Sequence, residues 1–102
     1  MIAVNKPRFK PGKIIGTPAC LEAIEQADQT AWTFIARHLV GDWGIVDVDD
    51  AQANNEALID GSRLLSAYLL NDELNTKIWV ITEAANDNGH REATTLLLPE
   101  EY

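Results

Sequence analysis

The chain has 102 residues, 46% hydrophobic and 24% charged, the balance of one globular domain with a single core. One cysteine, Cys20, excludes an internal disulfide, and no apolar run reaches the roughly 20 residues that a membrane span needs. The net charge of −8 is unevenly spread, because Lys6, Arg8, Lys10 and Lys13 precede every acid while the remainder holds all 16 carboxylates, so the body repels nucleic-acid phosphates. A reducing, cytoplasmic setting is expected from the lone cysteine and from the lack of an apolar stretch behind the first basic residues.

Residues 1–12, with Pro7, Pro11 and Gly12, read as a flexible basic leader to a single domain over 13–102. Lys13 to Gly16 is a short strand. Thr17 followed by Pro18 starts a helix, because the threonine oxygen takes an orphan backbone N–H and proline has none to orphan. That helix, to about Ala27, lines up Leu21, Ile24 and Ala27 on one stripe. A second helix from about Ala31 to Val40 places Trp32, Ile35, Ala36 and Leu39 on one side, with Phe34 and His38 on a neighbouring stripe. Gly41 ends it with a left-handed cap. His38, in the last turn, reads as a capping or surface histidine.

Gly41, Asp42, Trp43 and Gly44 form a committed turn. Trp43 there plugs the core edge while Asp42 bonds local backbone, or the two form an exposed recognition point. Asp47, Asp49 and Asp50 open a third, weaker helix of about Asp50 to Asp60, stopped by Gly61. Asp49 with Gln52 fits a capping-box variant. A calcium loop is excluded, since it would need an oxygen ligand at Ala51, glycine at Gln52 and glutamate at Leu58.

Three apolar runs follow: Arg63 to Leu70, Lys77 to Glu83 and Glu92 to Leu98. The middle run is apolar on both alternating faces, Ile78 and Val80 on one and Trp79 and Ile81 on the other, which marks a central strand covered on both sides. The connections are too short for parallel crossovers, so the runs form an antiparallel meander. The fold class expected is α+β: one short N-terminal strand, two to three helices and a three-stranded antiparallel meander, with helices packed on one sheet face.

No phosphate loop and no zinc-ligand spacing is present, and no cofactor is implied. Cys20 could form a dyad with a histidine, but a small core cysteine is the plainer reading. Asp42, Trp43, Tyr68 and Trp79 are the candidate binding residues; no catalytic or metal-binding residue is assigned.

The blocks KIIGTPA (13–19), ARHLVGDWG (36–44), GSRLLSAY (61–68), TKIWVITEA (76–84) and ATTLLLPEEY (93–102) resemble a family of small bacterial proteins carried on plasmids and integrated elements, called plasmid-related proteins. The resemblance covers about residues 13–102. It implies a bacterial, cytosolic protein of mobile-DNA context and brings no activity with it. The element order is also similar to that of the small toxin nucleases of the RelE/ParE type, which are usually basic.

Three functions are carried forward. The first is a non-enzymatic accessory module that binds a protein partner, or a second copy as a homodimer, through the Trp43 turn or a sheet face. Tyr68, Leu70, Leu96 and Leu98 mark the face expected to need such a cover. The second is an acidic DNA-mimic inhibitor of the anti-restriction type. The third is a toxin-type nuclease using Arg63, Lys77, His90 or Arg91. Nucleic-acid binding by the body and membrane association are disfavoured.

Overall fold

The structure, a computed structural model, describes residues 6–102. Strand β1 (Lys13–Gly16) leads into helices α1 (Pro18–Gln26), α2 (Ala31–Leu39) and α3 (Val48–Asp60). Strands β2 (Leu64–Leu69), β3 (Lys77–Thr82) and β4 (Ala93–Leu97) follow, then a 3-10 turn at Pro99–Glu101. The sheet is four-stranded and mixed, in the order β1-β4-β3-β2. Strands β2, β3 and β4 run antiparallel in sequence, but the expected free-standing meander is incomplete as a description, because β1 adds to β4 in parallel.

Local chemistry explains the helix limits. Thr17 Oγ1 accepts from Cys20 N at 3.1 Å with Pro18 in the first turn, as the sequence predicts. Helix α3 starts two residues earlier than expected, because Asp47, not Asp49, is the cap and accepts from Asp50 N at 2.8 Å. Gly61, at φ +82°, closes it in the left-handed conformation.

Register assigns the two sheet faces. Leu64, Ser66, Tyr68, Ile78, Val80, Thr82, Thr94 and Leu96 share the inner face. Cys20 and Ile24 of α1 and Phe34, Ile35 and Leu39 of α2 pack there with Tyr68, Ile78, Val80 and Leu96. Ala57 of α3 and Trp43 close on Leu64 beside them. Helix α2 buries Ile35 and Leu39 of its expected stripe together with Phe34 and His38 of the neighbouring one, while Trp32 is 61% exposed. The leader is not free over its described part, since Phe9 packs against both groups of core residues and Arg8 N donates to Leu39 O at 2.8 Å. Residues 1–5 of that expected leader lie outside the described residues.

The free side of β2 is blocked without a strand. Asn54 in α3 donates from Nδ2 to Leu65 O at 2.7 Å and accepts from Leu65 N at 3.0 Å, so one side-chain amide satisfies both main-chain groups. Trp43 and Ile45 do the same for Ala67, at 3.1 and 2.8 Å. Such blocking keeps another chain from pairing along these positions.

Candidate functional site

The densest polar chemistry lies inside the core. His38 Nδ1 is 2.5 Å from Ser66 Oγ, and His38 Nε2 is 2.8 Å from Thr82 Oγ1. Thr82 continues to Thr94 at 2.7 Å, and Thr94 donates to Pro11 O at 2.8 Å. A serine beside a histidine resembles a nucleophile and its base. Here His38, Ser66, Thr82 and Thr94 are all 0% exposed, and Phe9 and Trp43 stand edge-on to the imidazole. Burial, aided by the charge of Arg91, presses the His38 pKa down to about 4, so the ring is neutral at pH 7. With no opening to substrate, this network serves packing. The expected surface histidine is a core residue.

Cys20 is equally sealed. Burial, with Glu101 adding to it, pushes its thiol up to about 11, the opposite of an activated nucleophile. Among the described residues no group of three or more histidine, cysteine, aspartate or glutamate side chains is placed to hold a metal ion.

Three of the four candidate binding residues belong to one joint, in which Trp43 and Tyr68 are buried and Asp42 is exposed. Trp43 is only 6% exposed, with Nε1 donating to Asn55 Oδ1 at 3.1 Å. Tyr68 is buried and donates from its hydroxyl to Asp42 O at 2.6 Å, and burial raises its pKa to about 12. Asp42 accepts from Arg37 Nε at 2.7 Å and from Gly44 N at 3.2 Å; the Arg37 hydrogen bond is the main reason its carboxyl sits below the usual range. The Arg37 guanidinium in turn lies over the Tyr68 ring at 4.5 Å. The turn therefore aims Trp43 inward and offers no ring to a partner.

Trp79, the fourth, points to the opposite side of the sheet. Register places Lys13, Ile15, Leu65, Ala67, Leu69, Lys77, Trp79, Ile81, Ala93, Thr95 and Leu97 together there. No helix residue joins either core group from this face. The inner-face residues Tyr68, Leu70 and Leu96, expected to need a cover, are already buried under α1 and α2. The face without a helix is the other one; its centre is nonetheless closed, since Ala67, Ile81 and Leu97 are buried, and exposed apolar surface remains at its flanks.

The C-terminal turn crosses part of this outer face. Glu101 Oε1 accepts from Thr17 Oγ1 at 2.7 Å and from Leu98 N at 2.8 Å, which fixes the turn. Tyr102 then meets Trp79 edge-on, centroids 5.7 Å apart at 67°. Arg63 lies over the Tyr102 ring at 5.5 Å and donates from Nη1 to its hydroxyl. Between this pair and Ile81, Glu83, Thr95 and Leu97 is a cleft of about 290 Å³. Leu69 at 44% and Ile15 at 43% exposure extend the apolar surface to either side.

The sequence carried a signal for this surface, the two-sided apolar pattern of β3, but not for the Arg63–Tyr102 pair that flanks it. The four residues suggested for nuclease chemistry do not converge. Arg91 is buried and donates to Ser62 O, Glu83 O and Ala57 O at 2.8, 2.9 and 3.0 Å. Arg63 precedes the Leu64–Thr82 end of the β2–β3 ladder, Lys77 lies at its Leu69 end, and His90 faces Glu92 at 3.8 Å. The carboxylates are spread over α1, α3 and the connecting loops. No family model, no curated protein and no solved structure matches the chain.

Proposed function

We propose that this protein is a non-enzymatic interaction module that binds a protein partner through the outer sheet face, in the cytoplasm and in the mobile-element context its resemblance implies. The observation that carries this reading is the cleft on the sheet face that no helix covers. Trp79 and Tyr102 form an aromatic pair beside a cleft, with Leu69 and Ile15 exposed at the flanks. A cleft with aromatic and apolar walls and a few charged groups at its rim is the common form of a binding site. Polar groups that resemble catalytic machinery are sealed in the core, which supports binding over catalysis.

A different protein fits this face better than a second copy. Lys13, Arg63 and Lys77 all lie on it, and a two-fold contact would bring two such sets together. Affinity capture tests the reading with three baits: the native chain, Leu69→Glu/Trp79→Ala, and Ile59→Glu on exposed α3 surface. The expected result is a protein captured by the first and third and lost by the second. Equal capture by all three would remove the sheet face from the proposal, and a dimeric mass at micromolar concentration would replace the partner with a second copy.

A further inference from the structure

Three cations gather on the outer sheet face, beside one strand carboxylate and the acidic C-terminal turn. Lys13, Lys77 and Arg63 flank the outer sheet face, and Glu83 is the one carboxylate that the strand registers, extended by a residue, bring there. Neither ion pair found among the described residues, Arg37–Asp42 and His90–Glu92, involves these three cations. The helical side carries Glu22, Glu25, Asp49, Asp50, Glu56 and Asp60 on α1 and α3. A chain of net charge −8 thus keeps three of its eight basic residues, none in an ion pair among the described residues, around the sheet face that no helix covers.

We infer that the occupant of this face is an acidic protein segment with a bulky apolar anchor, which rests on the reading proposed above. The anchor enters the cleft of about 290 Å³ between Tyr102 and Ile81, Thr95 and Leu97, where Glu83 also stands, so the segment's acids meet the cations at the rim and not the cleft floor. Arg63 is held at the cleft by its stack on Tyr102 and its bond to the hydroxyl. Its remaining N–H groups meet a carboxylate adjacent to the anchor, where a planar fork is better suited than an ammonium. Lys77 and Lys13, at the far end of β3 and on β1, receive acids further along the segment. Alternating acidic and apolar residues match the sheet, since an extended segment sends alternate side chains to opposite sides.

Aromatics among cations also suit a single-stranded nucleic acid. The observations favour protein. A strand with one charge on every nucleotide needs more cations than the three on this face to offset the net charge of −8, whereas a segment with a few acids is matched by these three.

The test uses the full chain, labelled with nitrogen-15, and three probes: a 12-residue peptide alternating glutamate with leucine and phenylalanine (its length being about that of two average strands), its lysine counterpart, and a single-stranded thymidine oligonucleotide. The acidic peptide is expected to move the Trp79 indole resonance and the β3 and β4 amides while leaving the Trp43 indole in place. Affinity should fall at least about tenfold in Arg63→Glu/Lys77→Glu and fall again at high salt. A Trp79 resonance unmoved by the acidic peptide, or moved equally by the lysine peptide, overturns the inference. Tighter binding of the oligonucleotide replaces the protein segment with nucleic acid. Loss of capture by the Leu69→Glu/Trp79→Ala bait without acidic-peptide binding leaves the face as the partner site and removes only its acidic chemistry. Unchanged capture by that bait removes both.

Discussion

His38 Nε2 donates to Thr82 Oγ1 across 2.8 Å, a direction set at the other end of the buried network by the Pro11 carbonyl. Pro11 O can only accept, so the single Thr94 hydroxyl proton is committed to it. Thr82 must then donate to Thr94, which leaves its oxygen as the acceptor for His38 Nε2–H. A neutral imidazole has one N–H, so Nδ1 accepts from Ser66. Protonating His38 would set an Nδ1–H against the Ser66 hydroxyl proton and place a cation in the core near Arg91.

Stability should therefore fall in mild acid. The folded His38 pKa of about 4 lies below the unfolded value of 6.5, so the unfolded chain binds the extra proton first. The stabilisation is fully present above pH 6.5 and is lost as the pH falls to about 4. Its size is about 3 kcal/mol, from the linkage of roughly 1.4 kcal/mol per pKa unit. Urea midpoints measured from pH 7.5 to 4 should drop across this window, and the His38→Gln variant should show a flatter profile. An unchanged midpoint between pH 7 and 4.5 would show that His38 charges without penalty.

Thr82→Val keeps the side-chain shape and removes the hydroxyl. It strands the His38 Nε2–H with no acceptor, so the loss should be about 1–3 kcal/mol rather than the few tenths expected of an isosteric surface change. Thr82 and Thr94 act in one chain of bonds. The double variant Thr82→Val/Thr94→Val should therefore fall short of the sum of the singles by more than about 0.5 kcal/mol. Strict additivity in denaturant unfolding would mean that the two hydroxyls act independently.

The distribution of what the sequence revealed follows the range of the interactions. Thr17 with Pro18 and the Gly61 stop are local signals, set by backbone groups within a turn, and they hold. The β2–β3–β4 pairing follows from short connections, and it holds as well within the larger sheet. The β1–β4 pairing joins Lys13 to Ala93 across most of the chain, where no local pattern reports it. The inward place of His38 is not legible locally because its partners Ser66 and Thr82, and Thr94 beyond Thr82, lie in three different strands. A signal did exist: each has the parity of the inward residues, a pattern that only makes sense with a polar partner on a helix. Phe9 within the basic leader was a similar sign, an apolar ring needing somewhere to go.

Two glycines with positive φ should respond differently to alanine. Gly44, at φ +77°, lies where an added Cβ would run into Ala67 O and the Tyr68 ring, the contact that lets residues 43–45 pair with β2. Gly89 has the same φ but nothing within 4 Å of its missing Cβ. Gly89→Ala should cost about 1 kcal/mol, the strain of a left-handed backbone alone. Gly44→Ala adds a main-chain collision and should cost at least twice as much, or abolish folding at 37 °C. Thermal unfolding of the two variants checks the order, and equal losses would mean that the 43–45 segment moves aside freely.

Tyr102 links the packing of the outer face to its proposed use. Its ring meets Trp79 on one side and carries Arg63 on the other, so it holds two otherwise exposed side chains in fixed positions. Tyr102→Phe removes only the hydroxyl bonded to Arg63 and should change stability by less than about 0.5 kcal/mol, since that bond lies at the surface. Tyr102→Ala removes the ring, and with it an edge-to-face contact and a cation–π contact worth together about 1–2 kcal/mol. Trp79 fluorescence, isolated in a Trp32→Phe/Trp43→Phe background that retains the fold by near-ultraviolet dichroism, should shift to the red in Tyr102→Ala and stay in place in Tyr102→Phe. The acidic-peptide affinity should follow the same order, because the cleft loses its wall and Arg63 its support. If Tyr102→Ala left both the Trp79 emission and the peptide affinity unchanged, the ring would be a passenger on the sheet rather than part of its binding surface.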